Sequence, residues 1–198
     1  MKNSKELYNF NSSSERREGD FYPTPDWVAD ALLDNCSNDY RFAGDVWECA
    51  CGKGDLAERI KTKCPYAKVY ASDLYDRGYG ESGVDFLTSR KEADWIITNP
   101  PFEMGYEFML HAYKLAKKGF ALLFPIRYLT GKRRAKFYKQ FPPSKIIVIP
   151  GKVDFLGTGN PKMEFCWLLW DRNLKDERCE IIWHLPEAEP QGLFAAKE

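Results

Sequence analysis

The sequence predicts an α/β fold built on a doubly wound, mostly parallel sheet. Short apolar runs rich in β-branched and aromatic residues, such as 94–98 and 119–125, alternate with stretches of helical period. This alternation favours parallel strands joined by right-handed crossover helices. The 198 residues, 44% of them hydrophobic, suffice for one core. We therefore expect one domain over 20–185, preceded by a flexible segment 1–19 and followed by a loose tail 186–198.

The individual elements follow from local signals. Thr24 and Pro25 predict an N-cap and a first-turn proline for a helix that runs to about residue 35. A short strand over 45–49 leads into a glycine loop and then into a helix over 55–63. The other predicted strands are 68–73, 94–98, 119–125, 145–149 and 164–171, with 83–87 as a strand or turn and 180–183 as one further candidate, and the other predicted helices are 107–115 and 130–140.

Composition narrows the class of protein. Lysine plus arginine and aspartate plus glutamate number 29 each, so nucleic acid would have to be bound by a local basic patch. The six cysteines form no even framework, and Cys49 and Cys51 are too close for a Cys-x-x-Cys zinc pair, which predicts free thiols and no metal. Neither an apolar signal region nor a run of about 18 apolar residues occurs, so we expect a soluble, cytoplasmic protein without a membrane partner. With only His111 and His184 present, histidine-centred hydrolysis is disfavoured.

The apolar run 94–98 ends abruptly in Asn99, Pro100, Pro101 and Phe102. The prolines fix φ and prevent further ladder pairing, so the strand stops in a rigid turn of the kind that borders ligand sites in α/β sheets. The Asn99 side-chain oxygen and the Pro100 carbonyl can each accept one N–H of an exocyclic amine or amide, whose delocalised lone pair is a poor nucleophile. Those bonds would aim the lone pair at an electrophile such as a sulfonium methyl group, and Phe102 would stack on the planar substrate.

A second set of residues surrounds the predicted glycine loop, Cys51 to Gly54. Glycines let the backbone pass close to a ligand while the N-terminus of the next helix faces it. Asp73, about 20 residues after Gly52, ends the next strand and is placed to bind both hydroxyls of an adenosine ribose. These residues also satisfy the dinucleotide pattern, so an NAD-dependent dehydrogenase is one alternative.

In chain order, the informative stretches are 22–25, 48–54, 72–73, 85–86 and 99–102. Together they resemble class I S-adenosylmethionine-dependent methyltransferases of the adenine-specific DNA type, especially small phage and prophage enzymes. The order, with the proline-rich segment first and Asn-Pro-Pro-Phe after the glycine loop, is similar to the family's gamma arrangement. The resemblance implies a Rossmann-like fold with a seven-stranded sheet whose last strand, 164–171, is antiparallel. It also implies S-adenosyl-L-methionine as the cofactor.

The same resemblance implies a role for each site residue. The turn residues Asn99, Pro100, Pro101 and Phe102 would bind the target nitrogen and stack on its ring. The other residues would contact the cofactor. The resemblance implies that Tyr22 and Thr24 contact its carboxylate or adenine, and that the methionine end is held by Glu48, Cys49, Cys51, Gly52 and Gly54. It also implies that Asp73 binds the ribose and Leu74 packs on the adenine, while Asp85 meets the adenine amine and Phe86 packs on the ring.

A basic cluster follows the predicted strand 119–125 and bears on the substrate. On the same rim of the sheet as Asn99, it can clamp phosphates while an adenine is flipped into the site, which gives affinity without sequence information. A solvated helix face would show the same run of charges. The members of the cluster are Arg127, Lys132, Arg133, Arg134, Lys136 and Lys139.

The leading interpretation is therefore a DNA adenine-N6 methyltransferase with little room for a separate target-recognition domain. Either a flipped base is read with little sequence context, or a partner subunit supplies recognition, or the substrate is not DNA. A protein-glutamine or RNA methyltransferase would use the same clamp, although enzymes that modify glutamine typically carry Tyr where Phe102 stands. A non-catalytic nucleic-acid-binding protein on the same scaffold is a further alternative, and the oligomeric state stays open.

Overall fold

The computed structural model describes residues 22–36, 42–157, 159, 161–174 and 178–185. The segments expected to be flexible or loose, 1–19 and 186–198, lie outside the described residues. None of the helices in the described ranges is long and apolar enough to cross a bilayer. In chain order, the elements are α1 (Asp26–Asn35), β1 (Gly44–Glu48), α2 (Asp55–Lys63), β2 (Ala67–Asp73), β3 (Glu81–Ser82), β4 (Ala93–Thr98), α3 (Gly105–Leu115), β5 (Ala116–Pro125), a 3-10 helix (Ile126–Thr130), α4 (Lys132–Gln140), β6 (Lys145–Lys152), β7 (Glu164–Asp171) and β8 (Glu180–Trp183).

These strands form one eight-stranded sheet in the order β3-β2-β1-β4-β5-β7-β6-β8. The strands from β3 to β5 are parallel, whereas β7 is antiparallel to both β5 and β6. The expected doubly wound, mostly parallel sheet with an antiparallel strand at 164–171 is therefore confirmed. The resemblance implied seven strands, whereas the sheet has eight. The additional strand is β8, which pairs parallel with β6 and forms one edge of the sheet. Residues 83–87 form no strand, and the third strand is the short β3 just before them.

Both faces of the sheet are covered, because successive side chains of a strand point in opposite directions. In β4, Trp95 and Ile97 enter the core shared with α1 and α2, whereas Ile96 enters the core shared with α3 and α4. All three side chains are almost fully buried. A strand buried on both faces reads as a continuous apolar run, which is why 94–98 was recognisable in the sequence.

The contact between β5 and its neighbours depends on a glycine. Gly119 pairs with Asp171 of β7 and with Trp95 of β4. A Cβ at this position would lie 2.2 Å from the Trp170 carbonyl oxygen and 2.4 Å from the Trp95 ring. The absence of a side chain therefore lets the Trp95 ring lie against the middle of the sheet.

Helix α1 is anchored so that the chain before it crosses the carboxyl end of β4. The buried Trp167 of β7 donates its Nε1–H to the Val28 carbonyl oxygen over 2.7 Å. The predicted N-cap is wrong: α1 begins at Asp26, and Pro25 is its N-cap residue. Thr24 has a different partner, since its hydroxyl accepts a hydrogen bond from the side chain of Asn99.

Candidate cofactor and substrate site

A cavity of about 260 Å³ opens at the carboxyl ends of β1, β2 and β4. Open α/β sheets bind their ligands at this edge. Four predicted residues do not line the cavity and lie behind or beside its wall: Gly52, Gly54, Pro100 and Phe102. The described residues of the basic cluster do not line the cavity either. The predicted residues that the fold brings together in the wall are Tyr22, Thr24, Glu48, Cys49, Cys51, Asp73, Leu74, Asp85, Phe86, Asn99 and Pro101.

The side-chain amide of Asn99 has one fixed orientation. Its Nδ2 donates to the Tyr22 carbonyl oxygen and to the Thr24 hydroxyl, both over 3.2 Å. Because a carbonyl oxygen can only accept, the amide nitrogen must face the 22–25 segment and Oδ1 must point away from it. Oδ1 is buried and has no hydrogen-bond partner among the described residues. An unsatisfied buried acceptor costs about 1–3 kcal/mol, so this oxygen is suited to the N–H of a ligand.

Glu48, at the end of β1, is a second acceptor with spare capacity. The side chain is 1% exposed. Oε1 accepts from the Thr98 hydroxyl and from the Ala50 N–H, whereas Oε2 is buried without a partner in the described part of the chain. Burial raises the pKa of Glu48 to about 8, although the bonds from Thr98 and Ala50 act in the opposite direction. A positively charged ligand group beside this carboxyl would favour its ionised form.

Asp73 ends β2 and ties the glycine loop to that strand. Its Oδ2 accepts from the Gly52 N–H and its Oδ1 from the Tyr75 N–H, both over 2.9 Å. Each carboxylate oxygen has a second lone pair, so the group can still accept from ribose hydroxyls. Gly54 has a φ of 94°, and a Cβ there would lie 2.5 Å from the Tyr79 ring. The glycines therefore shape the loop that Asp73 holds, while their neighbours line the cavity.

The cysteines beside Glu48 are buried thiols. Cys49 is 2% exposed and Cys51 is 6% exposed, and the Cys51 thiol donates to the Tyr79 carbonyl oxygen over 3.6 Å. Burial raises the pKa of Cys51 to about 12 and the pKa of Cys49 well above its ordinary value. Both therefore form neutral, compact parts of the wall and are poor nucleophiles. Within the described ranges, no group of three or more His, Cys, Asp or Glu side chains could hold a metal ion.

Another part of the cavity wall combines apolar side chains with one acid. Phe86 is 2% exposed and packs against Trp47 and Phe108, with ring centroids 5.2 and 4.8 Å away. Leu74 is 51% exposed at the mouth. The Asp85 carboxylate accepts from the backbone N–H of Leu87 over 2.9 Å, which holds it in place. An apolar slot with a fixed acceptor fits a planar ring that carries an amine.

Phe102 lies in an aromatic cluster next to the cavity. Its ring stacks on Tyr22, with centroids 5.1 Å apart and planes at 14°. It also packs against Phe165 and Phe155, with centroids 5.3 and 6.4 Å away. Its carbonyl oxygen accepts from the Tyr128 hydroxyl over 2.7 Å. A planar substrate can therefore reach the stacked face of Phe102 only if Tyr22 moves aside.

The basic cluster lies on the 3-10 helix and α4, directly after β5. Arg134 is engaged within the protein, since it donates to the carbonyl oxygens of Tyr128 and Arg127 over 2.8 and 3.0 Å. Arg133 pairs with Glu107 of α3 at 3.4 Å. The exposed lysines of the cluster are Lys132, Lys136 and Lys139.

Several wall residues have no counterpart in the sequence predictions. Tyr75 and Arg77 come from the loop after Asp73, and Met104 comes from the turn after Phe102. Arg77 Nε lies 4.0 Å from Asp73 Oδ1, so it adds a positive charge beside the expected ribose acceptor. No motif marks these residues. The one signal available was their place just after a strand end, because such loops surround ligand sites in α/β sheets.

No protein-family profile and no curated protein matches the sequence. Solved structures do share its fold. A type I restriction-modification system methyltransferase subunit from Streptococcus thermophilus has 14% identity and a TM-score of 0.67, over 82% of this chain and 47% of that one. The chain thus spans about half the length of the S. thermophilus subunit.

Two further structures are similar over most of the chain. A proposed class I S-adenosylmethionine-dependent methyltransferase from Listeria monocytogenes has 17% identity and a TM-score of 0.60, over 84% of this chain and 67% of that one. A proposed RNA methyltransferase from Pyrococcus horikoshii has 15% identity and a TM-score of 0.60, over 76% of this chain and 85% of that one. The fold is therefore the Rossmann-like fold of class I methyltransferases.

Proposed function

We propose that this protein is an S-adenosylmethionine-dependent methyltransferase that methylates the N6 amine of adenine in DNA. The observation that carries the proposal is the buried Oδ1 of Asn99 in the cavity wall, which has no hydrogen-bond partner among the described residues. An acceptor fixed at a strand end, next to two prolines, is what a weakly nucleophilic amine requires. The likeness of the fold to solved methyltransferases supports the reaction class.

The cavity residues fit the cofactor group by group. Glu48 Oε2, which has no partner in the part of the chain that the structure describes, suits the positively charged methionine end, and Asp73 suits the ribose hydroxyls. Leu74, Asp85 and Phe86 form the slot for the adenine ring and its amine. When bound, S-adenosylmethionine supplies an electrophilic methyl group on a sulfonium. The water-poor wall around Glu48 and Cys49 strengthens the electrostatic contacts made there.

The chain itself positions the target nitrogen. In this proposal Asn99 Oδ1 accepts one N–H of the amine, and the carbonyl oxygen of Pro100, a residue beside the wall, accepts the other. With both protons engaged, the lone pair leaves conjugation with the ring and is directed at the methyl donor. The bonds from Asn99 Nδ2 to Tyr22 and Thr24 keep Oδ1 in this position, so the 22–25 segment has a direct part in orienting the clamp.

Nucleic acid is favoured over protein as the substrate because a run of cations begins where β5 ends. The 3-10 helix and α4 carry six basic residues and no acidic one between 126 and 140. Exposed lysines such as Lys132 and Lys136 suit phosphate contacts. Such contacts carry no sequence information, so recognition of a defined target sequence would need base contacts made elsewhere, for example by a partner subunit. The similar S. thermophilus protein is itself a subunit.

Two alternatives are separated by specific observations. An NAD-dependent dehydrogenase is disfavoured because dinucleotide-binding sheets continue in the order 4-5-6, whereas the antiparallel β7 separates β5 from β6 here. RNA is the second candidate substrate, since the P. horikoshii neighbour is a proposed RNA methyltransferase. A flipped adenine from either nucleic acid would present the same amine to Asn99.

The experiment is transfer of labelled methyl from S-adenosylmethionine to unmethylated DNA, RNA and a peptide mixture, followed by digestion to nucleosides or amino acids. We expect label in N6-methyldeoxyadenosine from DNA. Asn99→Ala should lose transfer by at least about 100-fold while calorimetric cofactor affinity stays within a few-fold. Asn173→Ala, which removes an exposed asparagine after β7, is the matched control and should keep full transfer.

Each result has a clear meaning. Label in RNA or protein alone would replace the proposed substrate. Equal transfer by Asn99→Ala and the wild type would remove Asn99 from the mechanism. Cofactor binding without transfer to any substrate would favour a non-catalytic nucleic-acid-binding protein.

A further inference from the structure

We propose that Tyr128 and Arg134 are positioning residues that hold the Asn99–Phe102 turn in its working shape. Arg134 would therefore act inside the protein, although its place in the basic cluster favours a phosphate contact. This inference rests on the proposed methyl transfer for its kinetic consequences and on hydrogen bonds and ring contacts within the folded chain for its structural ones. Neither residue lines the cavity.

The sequence of the turn restricts only part of its backbone. Pro100 and Pro101 fix φ at their positions, and Asn99 is held by Tyr22 and Thr24. The next rotatable position is Phe102, whose ψ sets the direction of its carbonyl group. The Tyr128 hydroxyl donates to that carbonyl over 2.7 Å and so restrains its direction.

Tyr128 is itself rigid. Its side chain is 6% exposed, and its ring stacks on the buried Phe124 with centroids 4.2 Å apart and planes at 7°. Gly105, the first residue of α3, leaves room for the hydroxyl, because a Cβ there would lie 2.5 Å from Tyr128 Oη. The phenol thus joins the end of β5 to the turn and to the start of α3.

Arg134 fixes Tyr128 from the other side. Its guanidinium carbon lies 4.2 Å from the centre of the Tyr128 ring, and its Nε donates to the Tyr128 carbonyl oxygen over 2.8 Å. Its Nη2 donates to the Arg127 carbonyl oxygen over 3.0 Å. One planar fork thus holds consecutive carbonyls of the 3-10 helix while it stacks on the ring. A lysine has neither the fork nor the flat face and could not reproduce this set.

Substitutions at two positions test the positioning role, each with a matched control. Tyr128→Phe should lower kcat for methyl transfer by about 10- to 100-fold, the loss expected for a small misplacement, while the KM for DNA and the calorimetric affinity for the cofactor change less than about twofold. Tyr113→Phe, which removes the same atom from α3 away from the turn, should match the wild type. Arg134→Lys should lower kcat as far as Arg134→Ala does. Lys136→Ala should instead raise the KM for DNA and reduce the slope of log affinity against log salt by about 0.9.

A measurement that needs no activity accompanies the kinetics. The Met104 N–H donates to the Pro101 carbonyl oxygen over 3.0 Å and closes the turn. Deuterium uptake at Met104 should rise in Tyr128→Phe and Arg134→Ala but not in Tyr113→Phe or Lys136→Ala. If the wild type transfers no methyl group, the proposed function fails, and exchange at Met104 still decides this inference.

Two results would overturn the positioning role. The first is wild-type kcat and unchanged exchange in Tyr128→Phe. The second is an Arg134→Lys variant that recovers the activity lost in Arg134→Ala, because charge alone would then suffice and Arg134 would be a phosphate contact.

Discussion

Glu48 offers the sharpest test of the site, because replacing it by glutamine removes the ionisable group and almost no volume. The side chain is 1% exposed, and burial raises its pKa to about 8. In the cofactor-free protein, folding therefore favours the protonated carboxyl. Glutamine resembles that neutral form, so Glu48→Gln should cost little at low pH and should stabilise the free protein at high pH.

The magnitude follows from linkage. A pKa raised on folding gives stability that is fully present below the unfolded value of 4.5 and is lost as the pH rises through about 8. Across that interval the free energy of unfolding falls by about 1.4 kcal/mol per pH unit, or about 5 kcal/mol in total, an order-of-magnitude figure. Glu48→Gln should lack this component of the pH dependence.

The assay is urea unfolding of the wild type and Glu48→Gln from about pH 5 to about pH 9, with and without S-adenosylmethionine. The difference in stability between the two should grow in favour of the variant as the pH rises. Cofactor should stabilise the wild type more than the variant at the upper end, since its cationic groups compensate the ionised Glu48. Glu58→Gln is the control: Glu58 is exposed and its pKa is lowered by the bonds from Lys61 and Tyr79, so its removal should leave the slope over this range unchanged. Parallel curves for the wild type and Glu48→Gln would show that the folded protein already holds Glu48 ionised, and would refute the reasoning.

The remaining predictions concern the cofactor and the core. Asp73→Ala should weaken cofactor binding, measured by calorimetry, by about 1–3 kcal/mol, the loss expected for hydrogen bonds to a charged group. Asp76→Ala, which removes an exposed acid in the loop after Asp73, is the control and should not change the affinity. Equal affinities for Asp73→Ala and the wild type would exclude the ribose role. Gly119→Ala should lower the free energy of unfolding in urea by about 3 kcal/mol, because the added methyl group meets the Trp170 backbone and the Trp95 ring. A stability change under about 0.5 kcal/mol would mean that β5 and β7 can separate without penalty.

The fold was predictable because its signals are local. A strand buried on both faces must be a continuous apolar run, and the prolines after Thr98 must end it, so β4 and its turn could be placed from a few adjacent residues. The two-residue β3 could not, because its ladder with β2 is too short to leave a pattern of period two. Thr24 was expected to cap α1, yet its hydroxyl serves Asn99, and local sequence cannot show which of two acceptable partners a hydroxyl takes.

In the candidate site, too, the sequence determines some features and the tertiary structure determines others. From the sequence alone came the set of residues at the strand ends, because the carboxyl edge of a parallel sheet gathers whatever follows each strand. Only the tertiary structure decided what those residues have left to offer a ligand. The Asn99 amide is oriented by Thr24 and Tyr22, which precede it in the chain by 75 and 77 positions. Glu48 is shielded from water by the packing around it. Arg134, one of several similar cations in the sequence, is distinguished by the carbonyl groups and the ring it contacts. Residue type and spacing are local properties, whereas hydrogen-bond orientation, desolvation and the choice among equivalent charges depend on neighbours that only the folded chain brings together.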